Sequence, residues 1–169
     1  MKFSARLLLM VVCLTSAPVV LLSQTPPPEA DKDAAEIQQC TLTMDKVTRF
    51  AQVYGDLTKM AKDNPQLTAA VESTADGHQS IAGIENKISA EPMIVSAISD
   101  HGFATHEFVV LEITILQSAL AAAAKQQGAD PAKLASEAHV NPANIAFMEE
   151  HKADFEELQK QYGVTQSSD

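Results

Sequence analysis

Glycine is sparse in this 169-residue chain, and each of the six stands alone, so no Gly-rich loop is available to cradle a phosphate. The two cysteines, Cys13 and Cys40, cannot build a disulfide framework, and no Cys/His spacing matches a zinc module. Positive charge is short as well: 12 Lys and Arg stand against 22 Asp and Glu, a net charge of −10. Such a surface repels phosphate backbones and anionic lipid, which disfavours nucleic-acid binding and electrostatic membrane attachment. Signatures of catalysis are missing too. There is no Gly-x-Ser-x-Gly elbow, and no Ser-x-x-Lys follows the N-terminal segment. No histidine carries an acid three or four residues before it, which removes the Glu-x-x-His di-metal motif. His106-Glu107 lacks the second histidine of a zinc-protease helix. No internal repeat occurs at solenoid periods.

What is present is enough apolar residue, 46%, to form the core of one domain. The N-terminus has the layout of a secretory signal over residues 1–23: Lys2 and Arg6, then the apolar run Leu7–Leu14, interrupted at Thr15-Ser16-Ala17-Pro18. Pro18 breaks the run well short of the ~20 residues a spanning helix needs. Leu21 sits where a small residue is preferred before cleavage at Ser23, which leaves an uncleaved anchor as the alternative. The sequence therefore predicts export, to a periplasm or beyond the cell. Removing Lys2 and Arg6 leaves 10 Lys and Arg against 22 Asp and Glu, a charge of −12. Cys40 is then the single cysteine and the candidate for an intermolecular disulfide.

Residues 24–42 read as a Pro-rich, Ala-rich and acidic tether, residues 43–163 as the folded domain and residues 164–169 as a tail. Within the domain, Met44, Val47, Phe50, Tyr54, Leu57 and Ala61 recur at helical steps behind a Thr43 cap. Shorter helices are expected over 66–73, 80–88 and 92–101, with a loop at Asp76-Gly77-His78. A last helix is expected over 142–162, with Asn141 as cap, Pro142 in the first turn and Val140 stapled to Ile145. Residues 105–127 form the central element, ending in four alanines and Gly128. The β-branched run Phe108–Leu116 also permits a strand, with 93–98 as its partner. No third strand candidate exists, and an isolated hairpin is marginal, so helix is favoured. A helix apolar nearly all round should be the buried centre of its domain. The fold class predicted is all-α: an irregular bundle of five to seven helices around that centre.

Three residues stand out. Glu112 lies among apolar neighbours, opposite a polar stripe of Glu107, Thr114, Ser118 and Lys125. A carboxylate so placed needs a cation, becomes hard to ionise, or anchors a ligand. Arg49, at the edge of the apolar stripe of the first long helix, is the expected ion-pair partner. His151 sits between Phe147 and Phe155 on the apolar face of the last helix. A histidine there is ordinarily a packed residue; as a haem ligand it would need a methionine such as Met44, Met60, Met93 or Met148 opposite. His101 and His106 bracket the loop before the central element, His139 lies near the loop before the last helix and His78 sits in a loop. Such histidines are expected to be solvated, and the acidic cluster from Glu149 to Glu157 to be a solvated helix face.

The expectation is an exported, acidic, non-enzymatic interaction module of the bacterial envelope, with a secreted or envelope protein as partner and no resident cofactor. The alternative is a carrier of a small molecule or cofactor, with Glu112, Arg49 and His151 in its pocket.

Overall fold

Seven α-helices and no strand occur among the residues that the computed structural model describes, which are 28–64, 80–130, 133, 135–136 and 139–162. In chain order they are α1 (Pro28–Gln39), α2 (Met44–Asp63), α3 (Ile81–Ser89), α4 (Pro92–Asp100), α5 (Thr105–Gln126), α6 (Pro142–Glu150) and α7 (Lys152–Tyr162). The signal-like segment, the helix expected at 66–73, the loop at 76–78 and the tail lie outside the described residues. Phe108–Leu116 and Met93–Ile98 are helical, which settles the strand alternative.

Local chemistry sets the helix ends. Thr43 has extended backbone and its Oγ1 accepts the Lys46 N–H at 3.3 Å, opening α2 as its sequence predicts. Asn141 opens α6 in the same way, accepting from Ala143 at 3.0 Å, and Val140 and Ile145 share a buried cluster behind it. At the end of α4, Gly102 takes φ +77°. Its N–H donates to Ser99 O and that of Phe103 donates to Ile98 O, the paired closure that a left-handed residue permits. Gly128, at φ +95°, ends α5 by the same two bonds, to Lys125 O and from Ala129 to Ala124 O. The last helix is not one piece. His151 leaves helical dihedrals, at φ −100° and ψ 20°, and divides it into α6 and α7.

α5 is the hub, packed against α1, α3, α4 and α6, while α2 packs on α4 and α7. The main core gathers Val53 and Leu57 of α2, the isoleucines of α3 and α4, and Phe108, Val109 and Leu111 of α5. A smaller cluster joins Ala121 and Ala122 of α5 to Ile145 of α6.

Two expectations require correction. Residues 28–39, read as part of a flexible tether, form α1, and Ile37 and Leu42 are core residues. The stretch is acidic enough to look apolar-poor, yet one isoleucine and the leucine after the helix give it a buried edge. α1 is further tied down by Asp33, whose carboxylate accepts the Ile81 N–H at 2.9 Å and so caps the start of α3.

The second correction concerns α5. It is central but not buried all round: its most apolar window is only 39% buried, and Leu116 and Leu120 are 58% and 62% exposed. Of its polar stripe, Thr114 and Ser118 are buried. By length and composition α5 is long and apolar enough to cross a membrane; here it packs against four of the other described helices. Small side chains turn inward because they let neighbouring helices approach closely, and the larger leucines are left outside.

Candidate functional site

Two polar assemblies interrupt the helical packing. The first lies where α2 meets the α4–α5 turn. Tyr54, one turn beyond Phe50, packs tilted against Phe50 and stacks on Phe108, the ring centroids being 4.9 Å and 6.2 Å away. Its hydroxyl donates to the Glu112 carboxylate. Burial pushes the Glu112 carboxyl above the usual carboxylate range, and the Tyr54 hydrogen bond only partly offsets it. The same burial, with the Glu112 charge beside it, pushes the Tyr54 hydroxyl well above its ordinary value.

Arg49 does not answer Glu112. Its guanidinium forks onto Asp45, one turn earlier in α2, at 2.9 and 3.1 Å. It also donates to the carbonyl of His101 at 3.3 Å and lies over the Phe103 ring, 4.6 Å from the centroid. A cation on the last carbonyl of α4 suits the negative end of that helix, and the aromatic face adds to it. Arg49 therefore fastens the α4–α5 turn to α2, and the expected Arg49–Glu112 pair is replaced by Tyr54–Glu112. Tyr54 stands further along the same helix, with its ring already packed against Phe50 and Phe108. Its neutral hydroxyl reaches Glu112, while the Arg49 guanidinium is taken up by Asp45, the His101 carbonyl and the Phe103 face. Next to it, His101 bonds Asp56 at 2.9 Å, which draws the Asp56 carboxyl down.

His151 lies elsewhere. Its ring packs 4.5 Å from Phe147 and its Nδ1 meets Asp154 at 2.8 Å, both on its own helix pair. The three residues singled out from the sequence thus form three separate contacts, not one pocket.

The second assembly is a cleft of about 340 Å³ where the end of α1 and the start of α2 face the first turns of α5. Glu36, Cys40, Lys46, His106, Glu107 and Val110 contribute to its walls. None of Glu112, Arg49 or His151 does. Cys40 is a free, half-buried thiol. His106, expected at the edge of the loop before the central element and solvated, stands half-exposed in the first turn of α5 with Nε2 2.9 Å from Glu36 and Nδ1 3.1 Å from Glu85. The strands of chain that bring these acids in are 70 and 21 residues away, so no local spacing announces them.

Beside the cleft, Asn144 of α6 is 1% exposed and clasps the link between α1 and α2. Its Oδ1 accepts the Leu42 N–H at 3.0 Å and its Nδ2 donates to the Cys40 carbonyl at 2.8 Å. Among the described residues, no three His, Cys, Asp or Glu side chains are arranged to hold a metal ion. Compared with family models, curated proteins and solved structures, the chain matches none of them significantly.

Proposed function

We propose that this chain is an exported, non-enzymatic interaction module of the bacterial envelope that binds another exported protein through the open face of α5. The observation that carries this reading is the orientation of that helix. Leu116 and Leu120, one turn apart, stand 58% and 62% exposed, while the hydroxyl of Ser118 is buried without a partner. An exposed leucine forgoes roughly 1–2 kcal/mol of burial, and an unpartnered buried hydroxyl costs about 1–3 kcal/mol. The exposed leucines are accounted for when a partner covers them, whereas the Ser118 hydroxyl is a cost of the inner packing that turns them outward. With ten more acidic than basic residues, the chain favours a partner whose rim around the apolar contact is basic. The signal-like N-terminus supports export.

The test is recovery of the chain from the native envelope by gentle crosslinking, beside Leu116→Glu/Leu120→Glu. Both side chains are exposed, so the double variant is expected to keep its helical signal and lose the crosslinked partner. Equal recovery of the same partner by both forms would remove α5 from the interface. Recovery of the wild-type chain alone would overturn the module reading. The carrier reading rests on the 340 Å³ cleft, a size within the range of small-ligand sites. Native mass spectrometry separates the two, since a carrier retains added mass.

A further inference from the structure

His106 joins three helices through one ring. Its Nε2 faces Glu36 of α1 at 2.9 Å and its Nδ1 faces Glu85 of α3 at 3.1 Å, while its own backbone belongs to α5. A neutral imidazole has one N–H and one lone pair, so it can donate to only one of these carboxylates and must turn its lone pair on the other. Only the imidazolium satisfies both. This cation sits in the first turn of a helix, the end where the backbone disfavours positive charge. Its two acids are therefore what hold it there.

We propose that His106 is a proton-operated clamp: protonated, it tightens α1 against α3 and α5; deprotonated, it loosens α1 and widens the cleft lined by Cys40. The charges around the ring favour this. From α1 come Glu36, with Lys32 3.5 Å from its carboxylate, and Asp33, which is engaged with the Ile81 N–H. Glu85 comes from α3, Lys46 of α2 lines the cleft, and Glu107 is the neighbour on α5. Asp100, the acid of α4, bonds Ser96 on its own helix. α6 meets the other half of α5, where Lys125 and Glu149 pair. Losing the proton takes the Glu36–His106–Glu85 group from one net negative charge to two, in a chain already at −10.

The direction of the switch follows. The hydrogen bond to Glu85 raises the His106 pKa, partial burial opposes it, and Glu36 adds to the rise. A group whose pKa is raised on folding contributes fully below its unfolded value, about 6.5, and loses that contribution as pH climbs through the raised one. The clamp is closed in mild acid and opens toward alkaline pH. The Asn144 clasp on residues 40 and 42 stays in place throughout, since neither of its bonds titrates, and it marks the pivot.

Hydrogen exchange of the full chain, corrected for the intrinsic effect of pH, tests this. Between pH 5.5 and 8.5 the amides of residues 31–39 should lose protection by roughly three- to tenfold, the range expected of two partly exposed ion pairs acting together. Amides of Val109–Ser118 should keep theirs. In His106→Gln, α1 should be weakly protected at both pH values. Flat α1 protection in the wild-type chain, or the wild-type pH slope surviving in His106→Gln, would overturn the clamp. A second readout needs no variant: the ring nitrogens of His106 should titrate with a midpoint above about 6.5. A midpoint at or below it would equally refute the proposal.

Discussion

Replacing Asn144 by alanine is expected to destabilise the chain by about 3 kcal/mol, most of it through two backbone groups that belong to another part of the sequence. The amide side chain reads one way only here, with its oxygen on the Leu42 N–H and its nitrogen on the Cys40 carbonyl, at 3.0 and 2.8 Å. Leu42 is 4% exposed, so its N–H has no ready access to water once Asn144 is shortened. A buried donor left without an acceptor costs about 1–3 kcal/mol. The Cys40 carbonyl lies nearer the cleft, where water can take over part of the bond, and contributes about 1 kcal/mol. For a folded region of this size the total corresponds to a fall in Tm of roughly 10 °C. Urea unfolding followed by circular dichroism at constant m value measures it, and exchange at the Leu42 amide localises it. Asn144→Asp sharpens the case. The carboxylate keeps the bond from Leu42 but sets an oxygen against the Cys40 carbonyl, a conflict that protonation removes. That variant should therefore recover stability as pH falls, relative to Asn144→Ala. A loss below about 0.5 kcal/mol in Asn144→Ala, with Leu42 still protected, would refute the view that Asn144 holds the α1–α2 link.

The Tyr54–Glu112 pair gives a second pH dependence. Because burial raises the Glu112 pKa, the folded state binds the proton more tightly, and stability should fall as pH rises from about 4.5 through the raised value. Glu112→Gln should flatten that limb of the denaturation midpoint against pH, and an unchanged slope would show that Glu112 ionises as freely folded as unfolded. Glu112→Ala alone should cost about 2–3 kcal/mol by stranding the Tyr54 hydroxyl, whereas Tyr54→Phe with Glu112→Leu should remain within about 1 kcal/mol of wild type by thermal melting. Gly55→Ala places a methyl 2.9 Å from the Tyr162 ring. The helix gains about 1 kcal/mol from alanine, so global stability should change little while α7 amides lose exchange protection; intact protection there would mean that Tyr162 adjusts without undocking.

How much of this was visible in the sequence depends on whether the signal is local. Thr43, Asn141, Pro142, Gly102 and Gly128 act on groups within five residues of themselves, and the helix boundaries they predict are the ones observed. The apolar steps of α2 likewise point at the core, although Val53, fully buried, lies off the stripe read from periodicity. α1 was hidden because its docking relies on few apolar residues and on polar contacts to distant chain: Asp33 to the Ile81 N–H, Glu36 to His106, and Asn144 to Cys40 and Leu42. Periodicity shows Glu112 to be out of place but not what answers it: the sequence suggests the Arg49 cation, and the core supplies the Tyr54 hydroxyl from within an aromatic cluster. Burial of both groups disfavours the charge that an Arg49 partnership would have required.

The inversion of α5 has a different origin. Hydropathy ranks Leu116 and Leu120 as interior and Thr114 and Ser118 as surface, and for a helix with one neighbour that ranking would decide the orientation. α5 has four. When several helices crowd one rod, the scarce quantity is space near its axis, and Thr114, Ser118, Ala121 and Ala122 supply it, each at most 6% exposed. Thr114 tolerates burial because its hydroxyl returns to the Val110 carbonyl at 2.7 Å, the usual escape for a threonine inside a helix. Ser118 makes no such bond. Geometry thus explains why the small residues are inside, but it does not require leucine on the outside, where a lysine or glutamate would serve the fold as well. Four neighbouring helices select the inner face of α5. The two outward leucines are not required by those helices, and the proposed binding surface rests on that.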